Sequence, residues 1–151
     1  MLRQRVITAL VMAAVFLAAI MFLPLPGLAL MFGLIVVAGG WEWSRLAGWE
    51  SRAGRAVLVA VLAATLGALY VYLQLGQQPS PQQVQPVLGL ACLWWSFALL
   101  WVKSYPASAT LWSNRFMRSL IGLLILAPAW AAAIYLLSYP RGGLLLVVMV
   151  I

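Results

Sequence analysis

The feature that most constrains this chain is an uncharged run of 36 residues between Arg5 and Glu42. A helix crosses the hydrocarbon core of a bilayer with about 20 residues, and a single helix of this length would measure about 54 Å. Near the middle, the segment LPLPG at residues 23–27 contains two prolines and a glycine, which break a helix and permit a tight reversal. The run therefore predicts two membrane-spanning helices joined by a short turn.

The rest of the chain repeats this alternation of apolar runs and short polar segments. Apolar residues make up 66% of the 151 residues and charged residues 7%, against about 25% charged residues in ordinary soluble domains. We expect an all-α, polytopic integral membrane protein with five transmembrane helices plus the start of a sixth. The predicted spans cover about 6–23, 28–44, 56–75, 87–102 and 120–137, with a truncated span from 144.

The last apolar run is short. Residues 144–151 would reach about 12 Å as a helix, less than half of the hydrocarbon core. We therefore expect residues 1–151 to be the N-terminal transmembrane domain of a longer protein.

The positive charges predict the orientation of these helices. Eight of the nine basic residues lie at the N-terminus, in residues 45–55 and in residues 103–118, whereas the alternate loops contain only Arg141. Basic loops remain in the cytoplasm and attract anionic lipid headgroups. We expect a cytoplasmic N-terminus, and we interpret the net charge of +7 as a preference for lipid, with no nucleic-acid partner.

Glu42 is the first acidic residue and stands between two tryptophans at the predicted cytoplasmic end of the second span. One interpretation places it at the lipid interface, paired with Arg45 at i, i+3 beside aromatic side chains that anchor the helix. The other places it in a polar cavity, because an ionisable residue within a span is a functional candidate. Glu42 and Arg45 are thus candidates for a structural role. The alternative is a supporting role, in which they position the residues that contact a substrate.

Few residues here could carry catalysis. The chain has no histidine and no aspartate, only Glu42 and Glu50 as carboxylates, and one cysteine, Cys92, within an apolar run. Acid–base catalysis and magnesium sites depend largely on such side chains. We therefore predict no catalytic, cofactor-binding or metal-binding residue in these 151 residues.

Residues 105–112, YPASATLW, form a mixed segment between predicted spans. An amphipathic stretch here would lie along the cytoplasmic surface, with Trp112, Phe116 and Met117 at the headgroup boundary. The alternative is a simple connector.

Four segments resemble the N-terminal part of bacterial phosphatidate cytidylyltransferases, the CDP-diacylglycerol synthase family. They are MLRQRVITALV at the start, GWEWSRLAG at 40–48, YPASATLW at 105–112 and RSLIGLLILAPAWAAAIYL at 118–136. The resemblance implies a multi-pass enzyme of the bacterial inner membrane that condenses CTP with phosphatidic acid, giving CDP-diacylglycerol and pyrophosphate in phospholipid biosynthesis.

The resemblance also implies where the chemistry lies. The family signature belongs to the C-terminal half, and none of it occurs in these residues, so we expect this chain to be inactive alone. Magnesium is expected for the full-length enzyme and not for this part. The alternative is a small non-enzymatic membrane protein, such as a transporter subunit or an assembly scaffold. The oligomeric state stays open, with a homodimer as one alternative.

Overall fold

The computed structural model describes residues 2–77 and 79–150, and its regular structure in these ranges is entirely helical. The helices are α1 (Leu2–Phe22), α2 (Leu25–Leu46), α3 (Arg52–Tyr72), α4 (Pro81–Lys103), α5 (Arg115–Leu137) and α6 (Gly142–Val150), with a 3₁₀ helix at Ala107–Trp112 before α5. The predicted all-α class is therefore confirmed.

Four of the described helices, α2 to α5, are long and apolar enough to cross a membrane, and α1 contributes a shorter apolar stretch at Val6–Phe22. Many large apolar side chains on these helices are exposed, as expected where lipid covers the surface. The chain is a multi-pass membrane protein.

Two predicted loops are shorter in the structure. Residues 76–86 were expected to be a loop, but α4 already begins at Pro81 and contains Pro86. Pro81 occupies the first turn, where its missing N–H has no helical acceptor. Pro86 lies inside the helix and removes one backbone hydrogen bond. Likewise, α5 begins at Arg115, whereas its span was expected from residue 120. Asn114 caps this start by accepting a hydrogen bond of 3.0 Å from the Phe116 N–H.

α5 is the central helix of the bundle. It packs against α2, α3, α4 and α6 and also contacts the 3₁₀ helix, while α2 packs against α3. The buried core draws on α2 to α5 and on the α3–α4 connection, and its members are Ala29, Leu62, Leu66, Leu73, Leu75, Val84, Ala127, Trp130, Ala131 and Ile134. Alanines and glycines at helix contacts let the backbones approach closely, which is how membrane helices gain packing energy.

Candidate functional site

The candidate site lies where the end of α2, the turn into α3 and the start of α5 meet. It is built around the Trp-Glu-Trp sequence in the last turns of α2. Successive residues of a helix point about 100° apart. Trp41, Glu42 and Trp43 therefore cannot share one environment, and each has a different partner.

Trp43 joins α2 to α5. Its indole Nε1–H donates a hydrogen bond of 2.8 Å to the backbone carbonyl of Arg118 in the first turn of α5. The indole lies against Gly122, where a Cβ atom would overlap the ring. The glycine therefore makes room for the hydrogen bond between the two helices.

Trp41 joins α2 to α3 through Arg55. The guanidinium carbon lies 4.1 Å from the centroid of the Trp41 ring, a cation–π geometry. The same guanidinium donates to the Trp41 carbonyl and to the Ser44 hydroxyl, each at 3.1 Å. Ser44 is fully buried and donates its own hydrogen bond to the Trp41 carbonyl at 2.6 Å. Arg55 is thus held by its cation–π contact and by two hydrogen bonds.

A third tryptophan, Trp49, is positioned by the turn after α2. Gly48 has a φ of 93°, a conformation that favours glycine. The N–H groups of Gly48 and Trp49 return to the carbonyls of Arg45 and Ser44 at 3.0 and 3.1 Å, the Schellman pattern of a helix end. After this reversal of the chain, the Trp49 indole N–H donates a hydrogen bond to the Ser119 hydroxyl on α5, with 2.8 Å between Nε1 and Oγ.

Two further residues of α5 pack on Trp49. The Arg115 guanidinium carbon lies 4.9 Å from the centroid of the Trp49 ring, and the Phe116 ring meets it edge to face at 5.5 Å. We call this whole assembly the tryptophan cluster, and it comprises Trp41, Trp43, Trp49, Arg55, Arg115, Phe116 and Arg118.

Glu42 and Arg45 stand outside these contacts. Their side chains are 69% and 66% exposed and approach each other at 3.9 Å as an i, i+3 pair. This is the local pairing of the interfacial interpretation, and an exposed pair of this kind is worth at most about 1 kcal/mol. No function of Glu42 follows from its position, so a role for either residue stays a prediction.

A cavity of about 420 Å³ lies beside the tryptophan cluster. It is lined by residues of α2 and its C-cap, of the 3₁₀ helix and of α5, namely Trp43, Leu46, Ala47, Trp112, Arg118 and Ile121. Arg118 is the charged member, and its Nε–H donates a hydrogen bond of 3.1 Å to the Trp112 carbonyl. Trp112 therefore forms a wall of this cavity, and its place at the headgroup boundary stays a prediction.

The described residues do not fit a magnesium site. In residues 2–77 and 79–150, no three His, Cys, Asp or Glu side chains lie close enough together to hold a metal ion. Glu42 is exposed and paired with a cation, and Glu50 is exposed as well. We assign no metal-dependent step to these residues.

The comparison with known proteins decides the family. Residues 3–151 match the family described as the Cytidylyltransferase family. This chain belongs to that family. The phosphatidate cytidylyltransferase of Pseudomonas aeruginosa is 41% identical over 152 aligned residues, which cover 100% of this chain and 53% of that protein. The phosphatidate cytidylyltransferase of Haemophilus influenzae is 33% identical over 146 residues, which cover 90% of this chain and 49% of that protein.

These cytidylyltransferase relatives are longer than the chain, which spans about half of their length and corresponds to their N-terminal portion. No solved structure matches the chain. The resemblance seen in the sequence is therefore confirmed at the level of the family.

Sequence reasoning missed most of this site because it started from the isolated carboxylate of Glu42. It named Glu42 and Arg45 but not Trp43, Trp49 or Arg118 as members of one site. A usable signal was present, since three of the four segments that resemble the family line one cavity: 40–48, 105–112 and 118–136.

Proposed function

We propose that this chain forms the membrane-embedded N-terminal part of a phosphatidate cytidylyltransferase. The single observation that carries the proposal is the family match over residues 3–151, with 41% identity to the Pseudomonas aeruginosa enzyme along the whole chain. We further propose five membrane spans plus the start of a sixth in the bacterial inner membrane. The N-terminus and the tryptophan cluster would then face the cytoplasm, which is where CTP is available.

The proposed reaction joins CTP to phosphatidic acid. A phosphate oxygen of phosphatidic acid attacks the α-phosphorus of CTP, and the bond between that phosphorus and the bridging oxygen to the β-phosphate breaks. CDP-diacylglycerol forms and pyrophosphate leaves. Magnesium would neutralise the phosphates in the full-length enzyme, and we assign no catalytic or metal-binding residue to this part of it.

The contribution of the present residues would be to hold the lipid substrate and to support the catalytic part. Contacts between α2, α3 and α5, and the hydrogen bonds of Trp43 and Trp49 to α5, would form this support at the basic end of the bundle. Basic residues at that end favour an anionic lipid such as phosphatidic acid near the site. Residues 1–151 alone should be inactive.

A chimera tests the proposal. Residues 1–151 would replace the matching half of the Pseudomonas aeruginosa enzyme, and membranes would be assayed for the conversion of radiolabelled CTP and phosphatidic acid to CDP-diacylglycerol. We expect turnover by the chimera and none by residues 1–151 alone. The control replaces the same half with unrelated membrane helices of equal number.

Two results would contradict the proposal. A chimera that inserts and folds but never turns over would favour the scaffold or transporter-subunit alternative. Turnover by residues 1–151 alone would show that the catalytic groups lie within them.

A further inference from the structure

The cavity beside the tryptophan cluster is lined by apolar side chains and by one positively charged side chain. Most of its lining is apolar or aromatic, from Trp43, Leu46, Ala47, Trp112 and Ile121, and Arg118 supplies a permanent positive charge. Its volume of about 420 Å³ lies within the range of about 300–1,000 Å³ that is usual for ligand sites. A molecule that fills it should carry an anionic group next to an apolar one.

The Arg118 side chain is held in place by one hydrogen bond, and its terminal N–H groups can still donate others. Its Nε–H is engaged by the Trp112 carbonyl at 3.1 Å, which fixes the plane of the guanidinium. Its backbone carbonyl is engaged in turn by Trp43. Among the residues that the structure describes, the ion pair formed is that of Glu42 with Arg45, and Arg118 has no carboxylate partner. The terminal N–H groups of Arg118 can therefore donate hydrogen bonds to a ligand. Phosphate is a preferred acceptor for the paired N–H groups of a guanidinium.

The surroundings of the cavity favour a lipid over a free nucleotide. Leu46 lines the cavity and is 71% exposed, and nearby on α5 Phe116 and Leu120 are also exposed. Such side chains face hydrocarbon or the headgroup boundary in a multi-pass protein. A ligand that reaches the cavity across this surface needs an apolar part.

We propose that this cavity binds the phosphate of an anionic phospholipid headgroup. Arg118 donates hydrogen bonds to the phosphate oxygens, and the walls formed by Trp43, Leu46 and Trp112 contact the glycerol and the first acyl carbons. The acyl chains remain in the bilayer. Lipid binding here does not depend on turnover, although phosphatidic acid, the substrate under the proposed function, belongs to this class of lipid.

Native mass spectrometry of the purified protein in detergent tests the site. The probes are dioleoyl phosphatidic acid, phosphatidylglycerol and phosphatidylcholine at equal concentration, with CTP and inorganic phosphate as separate arms. We expect both anionic lipids to be retained over phosphatidylcholine. Arg118→Gln should weaken their binding by about tenfold, the effect of one lost hydrogen bond to a charged group.

The matched control is Arg52→Gln. Arg52 is an exposed arginine at the start of α3 that does not line the cavity, so this variant loses the same charge and should bind lipid nearly as well as the parent protein. A second variant, Leu46→Trp, narrows the cavity from an exposed position and leaves Arg118 intact. It should also weaken anionic lipid binding, and it decides the matter if Arg118→Gln fails to fold.

Three results would overturn the proposal. Equal losses in Arg118→Gln and Arg52→Gln would indicate diffuse surface charge, and unchanged binding in Leu46→Trp would indicate that the lipid lies elsewhere. Binding of CTP or inorganic phosphate without any retained anionic lipid would make this a site for soluble phosphates.

An inactive chimera with lipid binding intact would contradict the proposed function alone, whereas an active chimera without this lipid selectivity would contradict the lipid-binding role of the cavity alone.

Discussion

At the scale of single residues, three tryptophans of this protein donate hydrogen bonds that join α5 to α2 or to the turn after α2. Trp43 and Trp130 each donate the indole N–H to a carbonyl on another helix, and the Trp130 bond to the Ala29 carbonyl measures 3.1 Å. Trp49 donates from the turn after α2 to the Ser119 hydroxyl on α5. A buried donor without a partner is costly where water is absent. These bonds therefore select which helix faces meet, beyond what apolar packing alone would specify.

Gly122→Ala should separate α2 from α5. The new methyl group overlaps the Trp43 indole and breaks its bond to the Arg118 carbonyl. We expect a loss of about 1–3 kcal/mol in the free energy of unfolding. The measurement is thermal unfolding in detergent, followed by tryptophan fluorescence. Gly39→Ala is the control, because a Cβ atom at Gly39 meets nothing within 4 Å. Equal stability of the two variants would show that the indole can move at no cost.

Arg55→Gln should destabilise the protein much more than Glu42→Gln. The arginine loses two hydrogen bonds and its contact with the Trp41 ring, which together should cost about 1–3 kcal/mol. Glu42→Gln removes only the exposed ion pair with Arg45, whose charged atoms lie 3.9 Å apart. Such a pair is worth less than about 1 kcal/mol. Chemical denaturation of both variants in the same detergent would compare them. A larger loss for Glu42→Gln would mean that Glu42 has an important contact beyond Arg45.

At the scale of elements, α5 organises the bundle. It packs against four other helices, and its buried residues include Ala127, Trp130, Ala131 and Ile134. α4, by contrast, packs mainly against α5 and leaves large side chains such as Trp95 and Phe97 exposed. Substitutions on α5 should therefore reduce stability more than equivalent substitutions on α4.

Trp130→Leu compared with Trp95→Leu tests this difference. Trp130 is 5% exposed and bonds to α2, whereas Trp95 is 56% exposed. We expect Trp130→Leu to cost about 2–4 kcal/mol through lost packing and the lost hydrogen bond to α2, and Trp95→Leu to cost less than about 0.5 kcal/mol. Unfolding midpoints in detergent would report both values. Similar midpoints would show that α5 is no more central than α4.

At the scale of the whole molecule, the distribution of charge along the chain predicts its orientation. The tryptophan cluster contains three arginines and lies at one end of the bundle, next to the predicted cytoplasmic loop at residues 45–55. The opposite loop, residues 73–80 between α3 and α4, contains no charged residue. Because positively charged loops are retained in the cytoplasm, the tryptophan cluster and its cavity should be inaccessible from outside the cell.

Cysteine accessibility tests the orientation. In a Cys92→Ser background, Glu50→Cys and Gln77→Cys place single thiols at exposed positions in the two loops. An impermeant maleimide added to spheroplasts should label position 77 and leave position 50 unlabelled until the membrane is opened. The reverse pattern would contradict the proposed topology and would place the cavity on the wrong side for a substrate from the cytoplasm.

Several features of this protein were determined by the sequence itself. Its all-α class, its multi-pass character and its family followed from runs of apolar residues and from four short segments. These are local properties, because the length and composition of one segment decide whether it can form a membrane helix. Helix ends were predicted less well, since Pro81 in the first turn of α4 and Pro86 inside it are residues equally typical of loops.

The site was decided only by the tertiary structure. Trp41, Glu42 and Trp43 are adjacent in sequence, yet one packs with Arg55, one is exposed beside Arg45 and one bonds to Arg118, 75 positions away. The direction of each side chain follows from helix geometry, but its partner depends on which faces of α2, α3 and α5 meet. No single segment contains that information, because it arises only when distant helices pack together.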